Sequence, residues 1–353
     1  SGKARAHSFF SKNWREAGHA RISLNVMRIL YVGPNRIGDA VLSSGLLNFL
    51  NRNYPDARFT VACGASAAPL FEELPGLERL IPMQKRPRAG HWRSLWRQVA
   101  GHRWSLVVDV RRSVIPWTVL TSRRAVAPPS SHRDEHAVVA FSRTLGLSEN
   151  PPIPRLWVGA KHHAAATDLL PEGRPVIAVA PTANWQGKIW PAERFVETLQ
   201  RLTGIAGSQA DAVLPDAAIA VLGAENERDA AAAVLDAIPA DRRIDLVGTQ
   251  DLPTVSACLL RSSLFVGNDS GLMHMAAAAG IPTLGLFGPS RPERYGPWGS
   301  RATWVTTEKP YSELVGGKGY DHRTTETLMD SLSVDTVVRA SASLWRRVGG
   351  DRE

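Results

Sequence analysis

The segment Asn268-Asp269-Ser270-Gly271 follows a short apolar run and precedes an alanine-rich stretch, a pattern typical of a strand, a tight turn and a helix start. Asp269 or Ser270 can cap that helix, and Gly271 has no side chain to keep a ligand from the amides of the first turn. Those amides and the helix dipole favour an anion, although an ordinary N-cap explains the same residues about equally well. His274, one turn into the helix, is near enough to reach a phosphate or a sugar.

A second candidate anion contact is Lys188, in the loop that follows the predicted strand Val176–Ala180. The hydroxyl of Thr182 lies in the same loop, and Pro191 can begin the next helix. An ammonium at this point would stabilise charge on a leaving diphosphate. Taken alone, a solvated loop lysine is the commoner explanation.

Carboxylates follow two further predicted strands. Glu225 and Glu227 come after Ala218–Leu222, where an acidic side chain can accept hydrogen bonds from ribose hydroxyls or simply stabilise a helix start. Asp39 follows the first strand and precedes a predicted helix, Ala40–Asn51. An aspartate there is usually a cap, but it could also take a proton from an acceptor hydroxyl.

Alternating strands and helices must position these residues. Apolar strands alternate with helical stretches in two halves of the chain, and the strongest linker signal between them is Pro151-Pro152-Ile153-Pro154. This alternation predicts an α/β fold with two doubly wound, Rossmann-like domains facing a cleft, and ligands beyond the carboxyl ends of the strands. The predicted segments are a poorly structured N-terminal extension over 1–26, domains over 27–165 and 166–333, and a C-terminal helix over 334–353 that packs back on the first domain.

Composition and charge narrow the class of protein. With 44% apolar and 21% charged residues in 353, the chain is globular, and its net charge of +9 with a pI near 10.0 calls for an acidic partner. Anionic lipid and a phosphorylated saccharide explain the charge, whereas no nucleic-acid-binding signature accompanies it, so we expect no specific nucleic-acid partner. Two cysteines in apolar segments, Cys63 and Cys258, indicate reduced thiols and a cytoplasmic location.

Four motifs, in their order and spacing, resemble those of the bacterial heptosyltransferases, glycosyltransferase family nine, of lipopolysaccharide inner-core assembly. They are Arg36-Ile37-Gly38-Asp39, Lys188-x-Trp190-Pro191, Asn268-Asp269-Ser270-Gly271-x-x-His274 and Phe287-Gly288-Pro289-Ser290. The resemblance runs from about Arg28 to the last helix. It implies a GT-B fold and an inverting, metal-independent transfer of a sugar, typically heptose from ADP-L-glycero-β-D-manno-heptose, to a lipopolysaccharide-core or related glycan.

The resemblance also implies roles for individual residues. Asp39 and Lys188 would be catalytic, as general base and as the cation on the diphosphate. The donor site would comprise Thr182, Lys188, Glu225, Asp269, Ser270, Gly271, Leu272 and His274. Within it, Asp269 would bind sugar hydroxyls, Gly271 and Leu272 would offer backbone amides, and Glu225 would face the ribose, with Glu227 fitting almost as well.

In the basic first domain, Arg36, Arg111 and Arg112 would bind the acceptor. The resemblance implies no cofactor besides the nucleotide sugar and no metal. Its partners would be this donor and an anionic glycolipid acceptor, met peripherally at the cytoplasmic surface of the inner membrane.

Two other functions stay open from the sequence. Sugar-nucleotide epimerases share related two-domain folds, and a non-catalytic nucleotide-sugar or glycan-binding protein would need the same phosphate and ribose contacts. Epimerised nucleotide sugar formed without any acceptor would indicate the first, and tight ligand binding without donor turnover would indicate the second.

Overall fold

The computed structural model describes residues 26–129, 134–207, 212–316 and 326–349. Of the N-terminal extension predicted over 1–26, only Val26 falls within these ranges. Two parallel β-sheets dominate the described chain.

The first sheet has five strands: β1 (Arg28–Val32), β2 (Arg58–Gly64), β3 (Leu77–Met83), β4 (Leu106–Asp109) and β5 (Arg124–Val126). They lie in the order β3-β2-β1-β4-β5. A two-residue ladder pairs Arg103–Trp104 with Leu120–Thr121 beside this sheet.

The second sheet has six strands: β6 (Val176–Ala180), β7 (Ala218–Gly223), β8 (Arg243–Val247), β9 (Leu264–Asn268), β10 (Thr283–Phe287) and β11 (Ala302–Thr306). Their order is β8-β7-β6-β9-β10-β11. In each sheet the second and third strands in sequence lie on one side of the first strand, and the later strands lie on its other side. Doubly wound sheets bind ligands at this switch point, beyond the carboxyl end of the first strand.

Helices connect the strands. They are α1 (Ile37–Asn53), α2 (Gly90–Val99), α3 (Ile115–Thr118), α4 (Ala137–Ser142), α5 (Ala160–Leu169), α6 (Ala192–Thr203), α7 (Arg228–Ala237), α8 (Leu252–Arg261), α9 (Gly271–Ala278), α10 (Pro292–Tyr295), α11 (Tyr311–Val315) and α12 (Val334–Val348). Because helices cover both faces of the second sheet, every residue of β6 is buried, which explains its unbroken apolar sequence. Within the described residues, no helix is both long enough and apolar enough to cross a bilayer.

The two domains share one apolar core. Tyr31 and Leu46 of the first domain belong to the same buried cluster as Ala178, Phe265 and Met273 of the second. Helices α1 and α9 form the main contact across the boundary. The predicted α/β class with two Rossmann-like domains facing a cleft is confirmed.

The sequence predicted that the C-terminal helix packs back on the first domain. This prediction is wrong, because the helix packs on the second domain. Val337, Val338 and Leu344 are buried with Phe195 of α6 against the second sheet, and Arg201 of α6 pairs with Asp335 across 2.7 Å. The physical reason is that strands β10 and β11 have an apolar face that must be buried, and the apolar side of α12 packs against it.

The predicted domain boundary at 165 divides α5. His162 on this helix hydrogen bonds through Nδ1 to Thr254 Oγ1 of α8 at 3.0 Å, and Ala166 is fully buried. Helix α5 therefore packs with the second domain, and the linker is the extended segment before it, around Pro151-Pro152-Ile153-Pro154.

Candidate active site

A cleft of about 760 Å³ lies between the domains, at the carboxyl ends of both sheets. The first domain contributes the loop after β1 and the start of α1, and the second contributes the loops after β6, β7 and β9. The predicted site residues that line it are Arg36, Asp39, Thr182, Lys188, Glu225, Asp269, Ser270, Gly271, Leu272 and His274. All predicted catalytic and donor residues therefore converge in one place, although they are far apart in the sequence.

Two glycines allow the starts of α1 and α9 to meet in this cleft. A Cβ atom on Gly38 would lie 2.9 Å from His274 Cδ2, and one on Gly271 would lie 2.8 Å from Ile37 Cγ2. Neither position can carry a side chain unless its neighbours shift. The sequence pointed to Gly271 as room for a ligand, whereas the structure shows that it also makes room for the other domain.

Asp39 lies in the first turn of α1. The helix begins at Ile37, earlier than the predicted Ala40, because the Arg36 carbonyl already accepts a hydrogen bond from the Ala40 amide at 3.0 Å. Arg36, not Asp39, is the N-cap residue. Burial raises the pKa of the half-buried Asp39 carboxyl, opposed by the positive charges of Arg36 and Arg294. A carboxylate with a raised pKa is a stronger base, so this environment suits proton abstraction.

Lys188 and Asp269 form a close ion pair, with Nζ 2.5 Å from Oδ2. Lys188 ends the short 3-10 turn Gln186–Lys188 after β6, and Asp269 follows the neighbouring strand β9. Asp269 is 5% exposed and the Lys188 side chain is 22% exposed, so the ammonium lies on the cleft side of a buried carboxylate. The aspartate thus holds the lysine where it can contact an anionic group.

Helix α9 starts without a side-chain cap. Ser270 occupies the N-cap position in an extended conformation, but its side chain makes no capping hydrogen bond, and Oγ is buried without a partner among the described residues. The expected capping by Asp269 or Ser270 is therefore wrong, because the Asp269 carboxylate turns towards Lys188. The first-turn amides at Gly271 and Leu272 stay available to phosphate oxygens from the cleft.

His274 is buried directly behind this helix start. Burial lowers the pKa of its imidazole to about 4, so the ring is neutral near pH 7. Its Nε2 lies 4.0 Å from Asp269 Oδ1, and its Nδ1 has no hydrogen-bond partner within the described part of the chain. A neutral imidazole can orient Asp269 or contact a sugar hydroxyl, but it supplies no positive charge.

The two acidic candidates after β7 have different environments. Glu227 Oε2 accepts hydrogen bonds from the Ala224 amide and from Thr182 Oγ1, both at 2.9 Å. Glu225 is exposed at the cleft, and its backbone packs so closely on Gly248 that a Cβ there would meet Glu225 Cα at 2.4 Å. Both residues line the cleft, but the Glu227 carboxylate is engaged in these two hydrogen bonds, whereas Glu225 is the more exposed of the two. Thr182 is buried, and its hydroxyl is engaged with Glu227.

The three arginines predicted to bind the acceptor do not lie in one place. Arg36 lines the cleft, whereas Arg111 and Arg112 lie outside it. Arg111 Nη1 donates to Asn35 Oδ1 at 2.8 Å, so this side chain is tied to the loop that carries Arg36. Arg112 is exposed, with φ of 57°, in the loop after β4.

Sequence reasoning did not assign several residues of the site. Asn268, within the central motif, is fully buried and links strand ends: its amide donates to the Pro181 carbonyl at 2.9 Å and accepts from the Trp190 amide at 3.2 Å. The signal in the sequence was an asparagine at the end of an apolar strand. The other unassigned lining residues include Ser66, Asn184, Gln250, Leu252, Val255 and Tyr295.

No group of three or more His, Cys, Asp or Glu side chains in the described ranges is arranged to hold a metal ion. The predicted absence of a metal requirement stays a prediction.

Solved structures share this architecture. The chain is similar to E. coli ADP-heptose lipopolysaccharide heptosyltransferase II, with a TM-score of 0.70 and 22% identity over 91% of this chain and 99% of that one. It is also similar to a family 9 glycosyl transferase from Veillonella parvula, with a TM-score of 0.73 and 18% identity over 92% and 99% of the two chains. Two Rossmann-like domains facing a cleft, as in these neighbours, form the GT-B class.

The family follows from the sequence comparisons. Lipopolysaccharide heptosyltransferase 2 of Salmonella typhimurium is 26% identical over 329 residues, covering 82% of this chain and 91% of the relative. Residues 90–320 match the model of glycosyltransferase family 9 (heptosyltransferase), and the chain belongs to this family. It is a glycosyltransferase, so the predicted family and enzyme class are confirmed and the epimerase and binding-protein alternatives are set aside.

Proposed function

We propose that this glycosyltransferase moves a heptosyl group from ADP-L-glycero-β-D-manno-heptose to a lipopolysaccharide-core or related glycan, with inversion at the anomeric carbon. One observation carries the proposal: a half-buried carboxylate of one domain, Asp39, faces an anion site of the other, formed by Lys188 and the start of α9. The similarity to lipopolysaccharide heptosyltransferase 2 and to ADP-heptose lipopolysaccharide heptosyltransferase II supports this choice of donor and acceptor.

The reaction assigns a role to each side of the cleft. Asp39 takes the proton of the acceptor hydroxyl as its oxygen forms a bond to the anomeric carbon. The bond from that carbon to the diphosphate oxygen breaks on the opposite face, and its electron pair leaves with ADP. Lys188 and the amides at Gly271 and Leu272 stabilise the charge that develops on the leaving phosphate.

The donor's other parts have matching surfaces. The exposed carboxylate of Glu225 can accept hydrogen bonds from the ribose hydroxyls, and Leu252 and Val255 provide an apolar wall for the adenine. Asp269, buried beside His274, would accept hydrogen bonds from sugar hydroxyls. No cofactor and no metal enter this proposal, and transfer should therefore persist in excess chelator.

For the acceptor, we propose an anionic glycolipid whose headgroup enters beside Arg36. Arg111 supports the loop of Arg36 through Asn35, and Arg112 adds positive charge nearby. The enzyme would meet this lipid at the cytoplasmic surface of the inner membrane.

The deciding experiment is Asp39→Asn, assayed with purified ADP-heptose and a lipopolysaccharide-core acceptor. Loss of the base should lower kcat by about 10²–10⁴-fold, while ADP-heptose should still bind, because Asp39 belongs to the other side of the cleft. The matched control is Asp56→Asn, an exposed carboxylate of the same domain, which should transfer at the normal rate. Full activity of Asp39→Asn would remove Asp39 from the role of base.

A thermal-shift series tests the donor separately. A ligand that binds only the folded state at about 100 times its Kd stabilises it by about 2.7 kcal/mol. ADP should therefore raise the unfolding temperature, whereas UDP, GDP and CDP at equal concentration should not. Equal stabilisation by all four would contradict adenine recognition and leave only diphosphate binding.

A further inference from the structure

Four large apolar side chains are exposed on the first domain, on α2, on α3 and on the residues that flank α3. Trp96, Val114, Trp117 and Leu120 are 45%, 65%, 68% and 63% exposed. The Trp96 indole donates a hydrogen bond to the Thr118 carbonyl at 3.1 Å, so the two helices hold this group as one surface. We call these four residues the Trp117 surface.

Positive charge surrounds the Trp117 surface. Arg93 and Arg97 are exposed on the same helix as Trp96, three residues before it and one after, and the Arg124 guanidinium lies 5.4 Å from the Trp117 ring centroid. Between residues 79 and 129 the sequence has eleven Lys and Arg residues and a single acid. That acid, Asp109, is fully buried and accepts hydrogen bonds within its own turn, so it offers no counter-charge at the surface.

The Trp117 surface is connected to the acceptor side of the cleft. The Arg111 guanidinium lies 4.7 Å from the ring centroid of Trp92, on α2, and donates to Asn35, which precedes Arg36 of the cleft wall. The Trp117 surface therefore shares α2 with Trp92, and a chain of contacts runs from this helix to the first-domain wall of the cleft.

We infer that the Trp117 surface docks the enzyme on an anionic phospholipid bilayer and orients the cleft towards an acceptor anchored there. This inference rests on the proposed function, since it supplies the membrane from which that acceptor would emerge. Tryptophan side chains settle at the headgroup level, aliphatic side chains enter the acyl boundary, and arginines pair with lipid phosphates.

Other occupants fit the residues less well. In a symmetric dimer the arginines of one copy would face those of the other. Single-stranded nucleic acid could stack on the tryptophans, but it gives Val114 and Leu120 no apolar environment.

The test is sedimentation of the full chain with vesicles of phosphatidylcholine alone or mixed equally with phosphatidylglycerol. The wild-type chain should bind the anionic vesicles at least about tenfold more strongly, and increasingly weakly as salt rises. Trp117→Ser with Leu120→Ser, and separately Arg93→Gln with Arg97→Gln, should each reduce that binding by about tenfold or more. Ile153→Ser, which removes an equally exposed apolar side chain elsewhere, should change nothing.

Equal binding to both vesicles, or unchanged binding of both double variants, would overturn the inference. So would RNA that displaces the chain from vesicles, or a dimer that dissociates in Trp117→Ser with Leu120→Ser. A water-soluble, delipidated acceptor separates the two proposals because its transfer needs no membrane. The wild-type chain and all variants should glycosylate it at the same normal rate, whatever the vesicle assay shows. Failure of the wild-type chain on that acceptor would instead count against the proposed function.

Discussion

At the scale of single residues, burial shifts two neighbouring groups of the cleft in opposite directions. It raises the pKa of the Asp39 carboxyl and lowers that of the His274 imidazole to about 4. Such a divergence is a common mark of assigned acid–base roles. Here it leaves Asp39 as a strengthened base and His274 as a neutral hydrogen-bonding group at the pH of the cell.

His274 should make the folded state sensitive to acid. Its folded pKa, about 4, lies below the ordinary value of 6.5, so the unfolded chain binds a proton first as the pH falls. The free energy of unfolding should therefore decrease as the pH falls from about 7 towards 4, by about 2 kcal/mol at pH 5 from this residue alone. His274→Gln, which cannot be protonated, should lose that part of the dependence in urea titrations at pH 7 and pH 5. An identical pH dependence in the variant would show that the pKa of His274 is the same in the folded and unfolded chains, so that burial does not lower it.

At the scale of elements, the sequence predicted strands closely where the chain has continuous apolar runs, such as Val176–Ala180 and Ala218–Leu222, because runs this short in such an alternation are typical of buried strands. It placed the start of α1 too late, because Gly38 is a poor helix residue whose presence is explained only by contact with the other domain. Likewise, the sequence could not show which of Glu225 and Glu227 would face the ribose, because the hydrogen bond from Thr182 to Glu227 depends on the three-dimensional fold.

Gly38→Ala tests the contact between the two helix starts. The new methyl would lie 2.9 Å from His274 Cδ2, so the domains must separate slightly or the imidazole must move. We expect a loss of about 1–3 kcal/mol in the free energy of unfolding and a clear fall in kcat. Gly101→Ala is the matched control, because a Cβ there meets nothing within 4 Å. If both variants behaved alike, the close approach of α1 and α9 would not limit either property.

At the scale of the whole molecule, the sequence predicted the two domains, the linker and the cleft, but neither the contacts between the domains nor the position of the C-terminal helix. The periodicity of α12 shows an apolar face without showing which sheet leaves room for it. A second contact between the domains, made by the N-cap residue of α4, also escaped prediction: His136 Nε2 lies 2.9 Å from the Gly296 carbonyl oxygen, and its ring centroid is 4.5 Å from that of Trp298. Such pairings depend on three-dimensional placement and leave no local pattern.

His136→Ala should weaken this contact and the N-cap that the same ring provides to Val138. We expect the free energy of unfolding to fall by about 1–3 kcal/mol. Transfer should slow, while the Kd for ADP-heptose stays near its normal value, because the donor residues all belong to the second domain. His163→Ala, an exposed histidine of α5, is the control for both measurements. Normal transfer by a destabilised His136→Ala would show that this contact does not set the orientation of the domains.

The meeting of α1 and α9 has an electrostatic consequence for domain closure. Each helix carries a partial positive charge at its start, and these starts touch through Gly38 and Gly271. Two like poles repel, so negative charge near them strengthens the interface. Asp39 supplies part of it, whereas the charge of Asp269 is already paired with Lys188, and a nucleotide diphosphate bound there would supply more. The donor would then act as a counter-ion that draws the two halves of the enzyme together, and the tightness of the closed form would depend on the charge of what is bound.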